Sequence, residues 1–499
     1  MPDEARAPDD EVHAHLAWLE ALADDPGLLL GLDPEDLVRL RRAAGRVALP
    51  DRAARRKLSN ERRSQLRREV REQDDRALEA TSNRRLKRAL SFPVAPQQLE
   101  ITAEQRRLLE RQARERPKES RPALNKSQAC YVCKQQYTEL HFHYDSMCPP
   151  CADRNWLKRT ATADLSGRVA LVTGARVKIG YEIALFLLRA GCRVIATTRF
   201  ACDAARRFEQ APDFEQWRDR LDLRALDLRH TPSVEGFCEG LLRTEQRLDF
   251  LVHNACQTVR RPPDYYRDMA TREDPRALPP LLQDLLGEQV AERALAVHRA
   301  PDRVAQLSQL DLLGEGDQSH LFPAAMKDGE GQQLDLRDAN SWRMELADVP
   351  TVELLEVQLV NQIAPFVMNA RLKPLMLAVP TADKHIVNVS AMEGQFNRAL
   401  KTTRHPHTNM AKAALNMMTR TSAADYVKDG IHMNSVDTGW VTDEDDFART
   451  VEKEEAQRFA PPLDSVDGAA RCVDPIFVGF NTGRHCWGQF LKDYEPAPW

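Results

Sequence analysis

The chain has 499 residues, of which 42% are hydrophobic and 29% charged, with a formal net charge of −4. That length predicts two or three domains with a sizeable core, and the near-balance of charge excludes a protein whose whole surface seeks nucleic acid or membrane. The opening MPDEARAPDD is acidic and polar, and no apolar run approaches the ~20 residues that span a bilayer, so a cytoplasmic protein without a membrane partner is expected.

Residues 1–120 read as a helical, Arg-rich region. In DPEDLVRLRRAAGRV, Asp33 is placed to cap a helix and Pro34 to occupy its first position. SNERRSQLRREVREQDDRALEA has too few apolar positions for a core helix and predicts a long solvated helix with internal ion pairs. Residues 51–120 carry 20 Lys and Arg against 12 Asp and Glu. This basic arm suits weak polyanion binding, but acids interleave the bases and aromatics are few, which favours a solvated arm or an oligomerisation segment. QARERPKESRPALNKSQ reads as a linker.

Ten cysteines follow an uneven pattern. Six (Cys192, Cys202, Cys238, Cys256, Cys472 and Cys486) are scattered and predict reduced thiols. Four fall in CYVCKQQYTELHFHYDSMCPPC as two Cys-x-x-Cys pairs: Cys130, Cys133, Cys148 and Cys151. The two-residue spacing turns both sulfurs of a pair toward one ion, and the intervening length allows a β-hairpin carrying His141 and His143. Four thiolates complete a tetrahedral Zn2+ shell with no open position, so a structural zinc is expected in a module at 125–160. The motif resembles a zinc ribbon, and such ribbons bind nucleic acid or protein, or brace a fold.

From Leu165 the pattern alternates short apolar strands (RVALVTG, CRVIATTR, LRALDLR, LDFLVHNA, HIVNVSA, GIHMNSVDTG) with amphipathic helices. This predicts an α/β class: a doubly wound parallel sheet of the Rossmann type, spanning 165–499 after the helical region and the small ribbon. About 265–345 is too long for a connection and reads as an insertion with helices of its own, such as PPLLQDLLGEQVAERALAVHRA.

VALVTGARVKIGYEIALFLLRAG runs strand, turn, helix, with Thr173, Gly174, Arg176, Lys178, Ile179 and Gly180 in the turn. Glycines there let backbone approach a pyrophosphate at a helix N-terminus. With the landmarks that follow, the chain resembles the short-chain dehydrogenase/reductase family, whose turn is T-G-x3-G-x-G. Lys178 replaces the middle glycine, similar to the pteridine-reductase branch. VIATTRF ends with Arg199 and no acid for a ribose hydroxyl, so Arg199 and Lys178 favour NADP(H) over NAD(H). The resemblance further implies adenine contacts at Asp227 and Leu228. It matches Asn254 and Ala255 to the N-N-A-G signature, from which His253 and Cys256 depart. Asn361 falls at the helix asparagine that holds a catalytic water, and Gly439 in a P-G loop where Thr438 replaces proline. It also implies a homo-oligomer, formed through helices flanking the sheet.

The stretch HPHTNMAKAALNM keeps the family's lysine, Lys412, but Thr408 stands where its tyrosine belongs. Ser390 lies one place before the usual serine, which Ala391 replaces. A threonine hydroxyl is far too weak an acid to replace a phenol of pKa ~10. Three expectations stay open. His405 or His407 supplies the proton; the proton is relayed from elsewhere or the substrate needs no strong acid; or the domain is a catalytically inactive NADPH-binding sensor or scaffold whose ribbon and basic arm bind a protein or nucleic-acid partner. The first two imply an NADPH-dependent oxidoreductase reducing a carbonyl or conjugated double bond of a small-molecule substrate the sequence does not identify.

Overall fold

The computed structural model describes residues 9–88, 122–286, 301–314, 316–323, 326, 332–338, 340–397, 401–442 and 460–499. The chain forms two compact units, one up to Asp75 and one from Arg76.

The first unit is helical: α1 (Asp9–Asp24), α2 (Pro34–Ala48) and most of α3 (Arg52–Glu79). Asp33 caps α2 by accepting the Glu35 N–H at 3.2 Å, with Pro34 in the first turn. α3 buries none of its residues and carries the expected i,i+4 pairs, among them Arg68 to Glu72 at 2.9 Å. Residues 89–121, which hold the first part of the expected linker, lie outside the described residues. The linker's second part is instead strand.

In the second unit a short α4 (Ser82–Arg88) precedes an antiparallel pair, β1 (Ala123–Ala129) and β2 (Gln136–Glu139), and α5 (Pro149–Arg159). Among the described residues the main sheet has eight strands. β3 (Val169–Thr173), β4 (Arg193–Thr198), β5 (Leu221–Ala225), β6 (Phe250–His253), β7 (Lys384–Ser390), β8 (Ile431–Asp437) and β9 (Phe490–Lys492) run parallel, and β10 (Glu495–Ala497) is antiparallel to β9. The order is β10-β9-β8-β7-β6-β3-β4-β5. The direction of strand succession reverses beside β3, so a crevice opens at the carboxyl ends of β3 and β6.

Helices cover both faces, as the continuous apolar runs of the strands require. Ala170 and Val172 of β3 join one core with α6 (Lys178–Arg189), α7 (Ala201–Glu209) and α13 (Ser465–Thr482). Val169 and Leu171 point the other way, onto α8 (Thr231–Thr244), α11 (Ala364–Leu377) and α12 (Pro406–Tyr426). Between β6 and α10 (Thr351–Gln358) runs the insertion, whose described parts include α9 (Pro263–Ala270) and short helices at Pro280–Asp284 and Pro301–Gln306. Residues 287–300 of the expected insertion helix lie outside the described residues. The insertion packs on the sheet: Leu278, Leu282, Leu285 and Leu286 enter the first core, and Leu285 accepts the Leu223 N–H of edge strand β5 at 2.7 Å.

Candidate functional site

A cleft of about 1280 Å³ lies at the carboxyl ends of the strands. At one end is the turn between β3 and α6. Gly174 lies in the left-handed region at φ +68°, and a Cβ there would meet Ala255 Cα at 2.8 Å. A Cβ on Gly180 would lie 2.1 Å from the Gly174 carbonyl oxygen. Both positions therefore need glycine. Asn254 ties the turn down by donating to the Thr173 and Gly174 carbonyls, each at 3.2 Å, and the Ala255 N–H donates to Thr173 Oγ1 at 3.1 Å. Lys178 opens α6 at φ +53°, a conformation a glycine takes freely and a side chain takes at a cost of about 1–2 kcal/mol. The result is a backbone cradle at a helix N-terminus, suited to a phosphate-bearing ligand.

Beyond β4, Arg199 lines the cleft and donates to Tyr266 Oη at 3.0 Å and Ser308 Oγ at 3.2 Å, both from the insertion. Burial works to raise the Tyr266 phenol, but Arg199, Arg229 and Arg261 overcome it and hold it below its ordinary value. Arg176 is paired with Asp203 at 2.7 Å. Asp227 and Leu228 line the cleft beyond β5, a strand that begins two residues earlier than the sequence pattern placed it. Burial is outweighed at Asp227 by Arg229 and Arg199, which keep its carboxyl below the usual range.

At the other end, Lys412 is buried and donates from Nζ to the Val389 carbonyl at 2.9 Å. Ser390 and Thr408 line the cleft beside it, and neither hydroxyl has a hydrogen-bond partner among the described residues. Such orphaned buried hydroxyls face a ligand or water. Asp437 closes this end. It ends β8 in register with Ser390, accepts the Met392 N–H at 3.1 Å, and lies 4.0 Å from Lys492 Nζ. Burial pushes its carboxyl up to about 6, with Glu393 and Asp493 adding to the rise against Lys492. Gly439 follows at φ +74°, where a Cβ would strike Leu463 at 2.4 Å.

Three of the expected site residues, His405, His407 and Asn361, do not line the cleft. His405 and His407 are buried. His405 stacks on Trp342, and burial lowers the His407 imidazole. Asn361 sits in a π turn (Leu359–Ile363), and its side chain holds backbone: Oδ1 accepts the Gln257 N–H at 2.7 Å and Nδ2 donates to the Gln257 carbonyl at 2.9 Å. Asp437 was missed, although a lone acid ending the buried IHMNSVD strand was a signal. Trp342 and Lys492 were unreadable, because the insertion and the final hairpin bring them in from distant sequence.

The four paired cysteines converge. Their sulfurs all lie within 4.8 Å of one another. The hairpin does not span the gap between the pairs: β1 and β2 flank the first pair, and Cys148 and Cys151 begin α5. His141 and His143 lie after the hairpin and are buried. Burial raises the Cys130 thiol, but backbone hydrogen bonds at Cys148, Cys133 and Val132 reverse this and bring it to about 7. His143, Asp464 and Asp467 form a second buried cluster. There Arg159 already supplies the cation, 2.6 Å from Asp464 and 3.0 Å from Asp467, so this cluster is an internal ion network.

Two family models match the chain: short chain dehydrogenase over residues 168–273, and Enoyl-(Acyl carrier protein) reductase over residues 300–462. An uncharacterized protein of Acanthamoeba polyphaga mimivirus is 31% identical over 383 residues, covering 73% of this chain and 74% of that one. The dehydrogenase/reductase SDR family member 13 of Bos taurus is 39% identical over 121 residues, covering 23% of this chain and only 29% of that protein's length. Among solved structures, a short chain dehydrogenase from Burkholderia cenocepacia in complex with NADP aligns at a TM-score of 0.42 and 18% identity, over 66% of this chain and 97% of that one. The glycine turn, the reversed strand order and the cleft at the carboxyl ends of β3 to β8 agree with the sequence matches: the chain belongs to the short-chain dehydrogenase/reductase family.

Proposed function

We propose that this protein is an NADP(H)-dependent oxidoreductase that reduces a carbonyl or a conjugated double bond, with a proton donor other than tyrosine. The observation that carries this reading is the shared cleft: the glycine cradle at Gly174 and Gly180, Arg199 at the end of β4, and Lys412 beside two orphaned hydroxyls all face one space. The cradle would hold the pyrophosphate, and Lys178 and Arg199 the 2′-phosphate. Lys412 would hold the nicotinamide ribose. When bound, the cofactor supplies a hydride.

Reduction of a carbonyl then requires a proton at the substrate oxygen. Asp437 is suited to hold it, because its carboxyl is raised to about 6, lines the cleft and stands next to Ser390. A donor whose pKa lies near the working pH is favoured for proton transfer. Ser390 and Thr408 would orient the substrate oxygen. The Cys130, Cys133, Cys148 and Cys151 set fits structural zinc: four sulfurs lie within 4.8 Å of one another, and four thiolates complete a tetrahedral shell with no vacant ligand position.

The test is nicotinamide oxidation at 340 nm across a panel of quinones, α-dicarbonyls and enones, beside binding titrations with NADPH and NADH. Binding of NADPH without turnover on any of them would favour a sensor or scaffold. Binding of neither cofactor would remove the reading altogether.

A further inference from the structure

The sulfur module forms part of the cleft wall. Tyr131 and Lys134, in the turn that carries Cys130 and Cys133, both line the cleft. Tyr131 Oη accepts the Trp440 N–H at 2.9 Å, fixing the backbone that directly follows Gly439. The fit is close on the other side too, since a Cβ on Gly439 would lie 3.2 Å from the same oxygen. Lys492 Nζ lies 5.6 Å from the Tyr131 ring centroid. The tyrosine's own backbone is fixed by donation to the Ser146 carbonyl at 2.8 Å, just before the second cysteine pair.

The packing beneath tells the same story. Cys130, Leu140, Tyr144, Met147 and Cys148 share one apolar cluster with Val441 and Leu463, and Ile179 packs against it. Ile179 lies in the first turn of α6, directly after the glycine turn, and Val441 in the loop after Gly439. Both segments that border the cleft therefore rest on the core of the sulfur module.

We infer that Tyr131 is a positioning residue for the cofactor, and that metal at the four cysteines and NADP(H) in the cleft bind with positive coupling. The inference rests on the two readings above, zinc at the sulfurs and NADP(H) in the cleft. The metal fixes the Cys130–Cys133 turn, the turn aims Tyr131, and Tyr131 holds the Gly439–Trp440 backbone against the cleft. Coupling between two sites is reciprocal: if the metal tightens the cofactor, the cofactor must retain the metal by the same factor.

The experiment uses the full chain with its metal and two readouts. NADPH affinity is followed by the emission of the bound nicotinamide, and zinc loss by transfer to a chromogenic chelator. Tyr131→Phe keeps the ring and loses only the hydroxyl. It is expected to retain about one zinc per chain and an unchanged melting temperature, yet to bind NADPH about 3–10-fold more weakly, the worth of one hydrogen bond. Tyr131→Ala should lose more. Saturating NADPH should slow zinc transfer from the unmodified protein at least several-fold, and by less in Tyr131→Phe. Equal NADPH affinity in Tyr131→Phe together with zinc transfer indifferent to NADPH overturns the inference. Metal analysis and a cofactor titration of the unmodified protein tell that failure apart from a failure of its premises, since a chain with no zinc or no NADPH binding overturns the inference through the corresponding reading.

Discussion

The ring of Trp342 lies flat against that of His405, with centroids 4.0 Å apart and planes 1° from parallel. Trp342 lines the cleft and His405 does not, so the histidine serves as the indole's backing. Its backbone has a second duty, donating to the Met344 carbonyl at 2.9 Å from a left-handed conformation. His405→Ala is therefore expected to loosen this wall, raising the substrate KM, and to leave the pH dependence of turnover unchanged. A pH profile that loses its limb in this variant would return the histidine to the role of acid.

Asp437 makes the opposite prediction. On the proposed mechanism its carboxyl carries the proton for reduction, and burial raises it to about 6. Reductive turnover should fall as pH rises through that value. Asp437→Asn should lower turnover by ~10²–10⁴-fold, the usual worth of a general acid, with NADPH affinity little changed. Turnover in Asp437→Asn that keeps both its rate and its pH limb would exclude the assignment.

On the proposed reading, the preference for NADP(H) rests on Arg199. Arg199→Ala should weaken NADPH by about 1.5–3 kcal/mol, the scale of a hydrogen bond to a charged group, and leave NADH almost unaffected. Isothermal titration with both nucleotides decides it. An equal loss for both would assign Arg199 to holding Tyr266 and Ser308 in place rather than to phosphate recognition.

Acid should expose a buried imidazole. His253, bonded to Asn369 Oδ1 at 2.8 Å, is lowered by burial from 6.5 to about 4. The unfolded chain takes up its proton near 6.5 while the folded chain refuses it until about 4. The stability linked to His253 is thus complete above pH 6.5 and is lost progressively as pH falls toward 4, to a total of roughly 2–4 kcal/mol. His253→Asn restores the residue of the N-N-A-G signature and should flatten this slope relative to the unmodified protein. Parallel denaturation curves for the two proteins between pH 7 and 4.5 would refute it.

Arg159 sits between Asp464 and Asp467, and Tyr144 also donates to Asp467. Arg159→Met leaves two buried acids without their cation and should cost about 3–5 kcal/mol in urea denaturation. A midpoint unchanged from the unmodified protein would show that the network is dispensable.

How much of this was legible in the sequence depended on distance along the chain. The six parallel strands from β3 to β8 announced themselves because each is a short, largely buried run rich in Val, Ile and Leu, set between helical segments. Gly174 and Gly180 were readable because strand, turn and helix are contiguous. The final hairpin was not: β9 and β10 have three residues each, and the turn between them uses Asp493 and Tyr494 at φ +49° and +68° where glycine or asparagine would have been the signal. The sequence led to a proton donor beside Lys412, whereas the proposed donor, Asp437, comes from a neighbouring strand that only tertiary pairing brings alongside Ser390. The paired cysteines were clear, but nothing in their spacing tells that Tyr131 between them reaches the cleft.

The hydrogen bond from Leu223 to the Leu285 carbonyl has a consequence for anyone trimming this protein. The insertion looks expendable, because the glycine turn, Lys412 and Asp437 all lie outside it. Yet its Leu278–Leu286 stretch sheathes β5, the outermost parallel strand, and Leu282 and Leu285 are almost fully enclosed there. A minimal version without residues 265–345 would present a bare strand edge bordered by a greasy strip, a template for chain-to-chain pairing. Such a version should come out of the cell as inclusion bodies or as soluble aggregate rather than as a smaller folded protein.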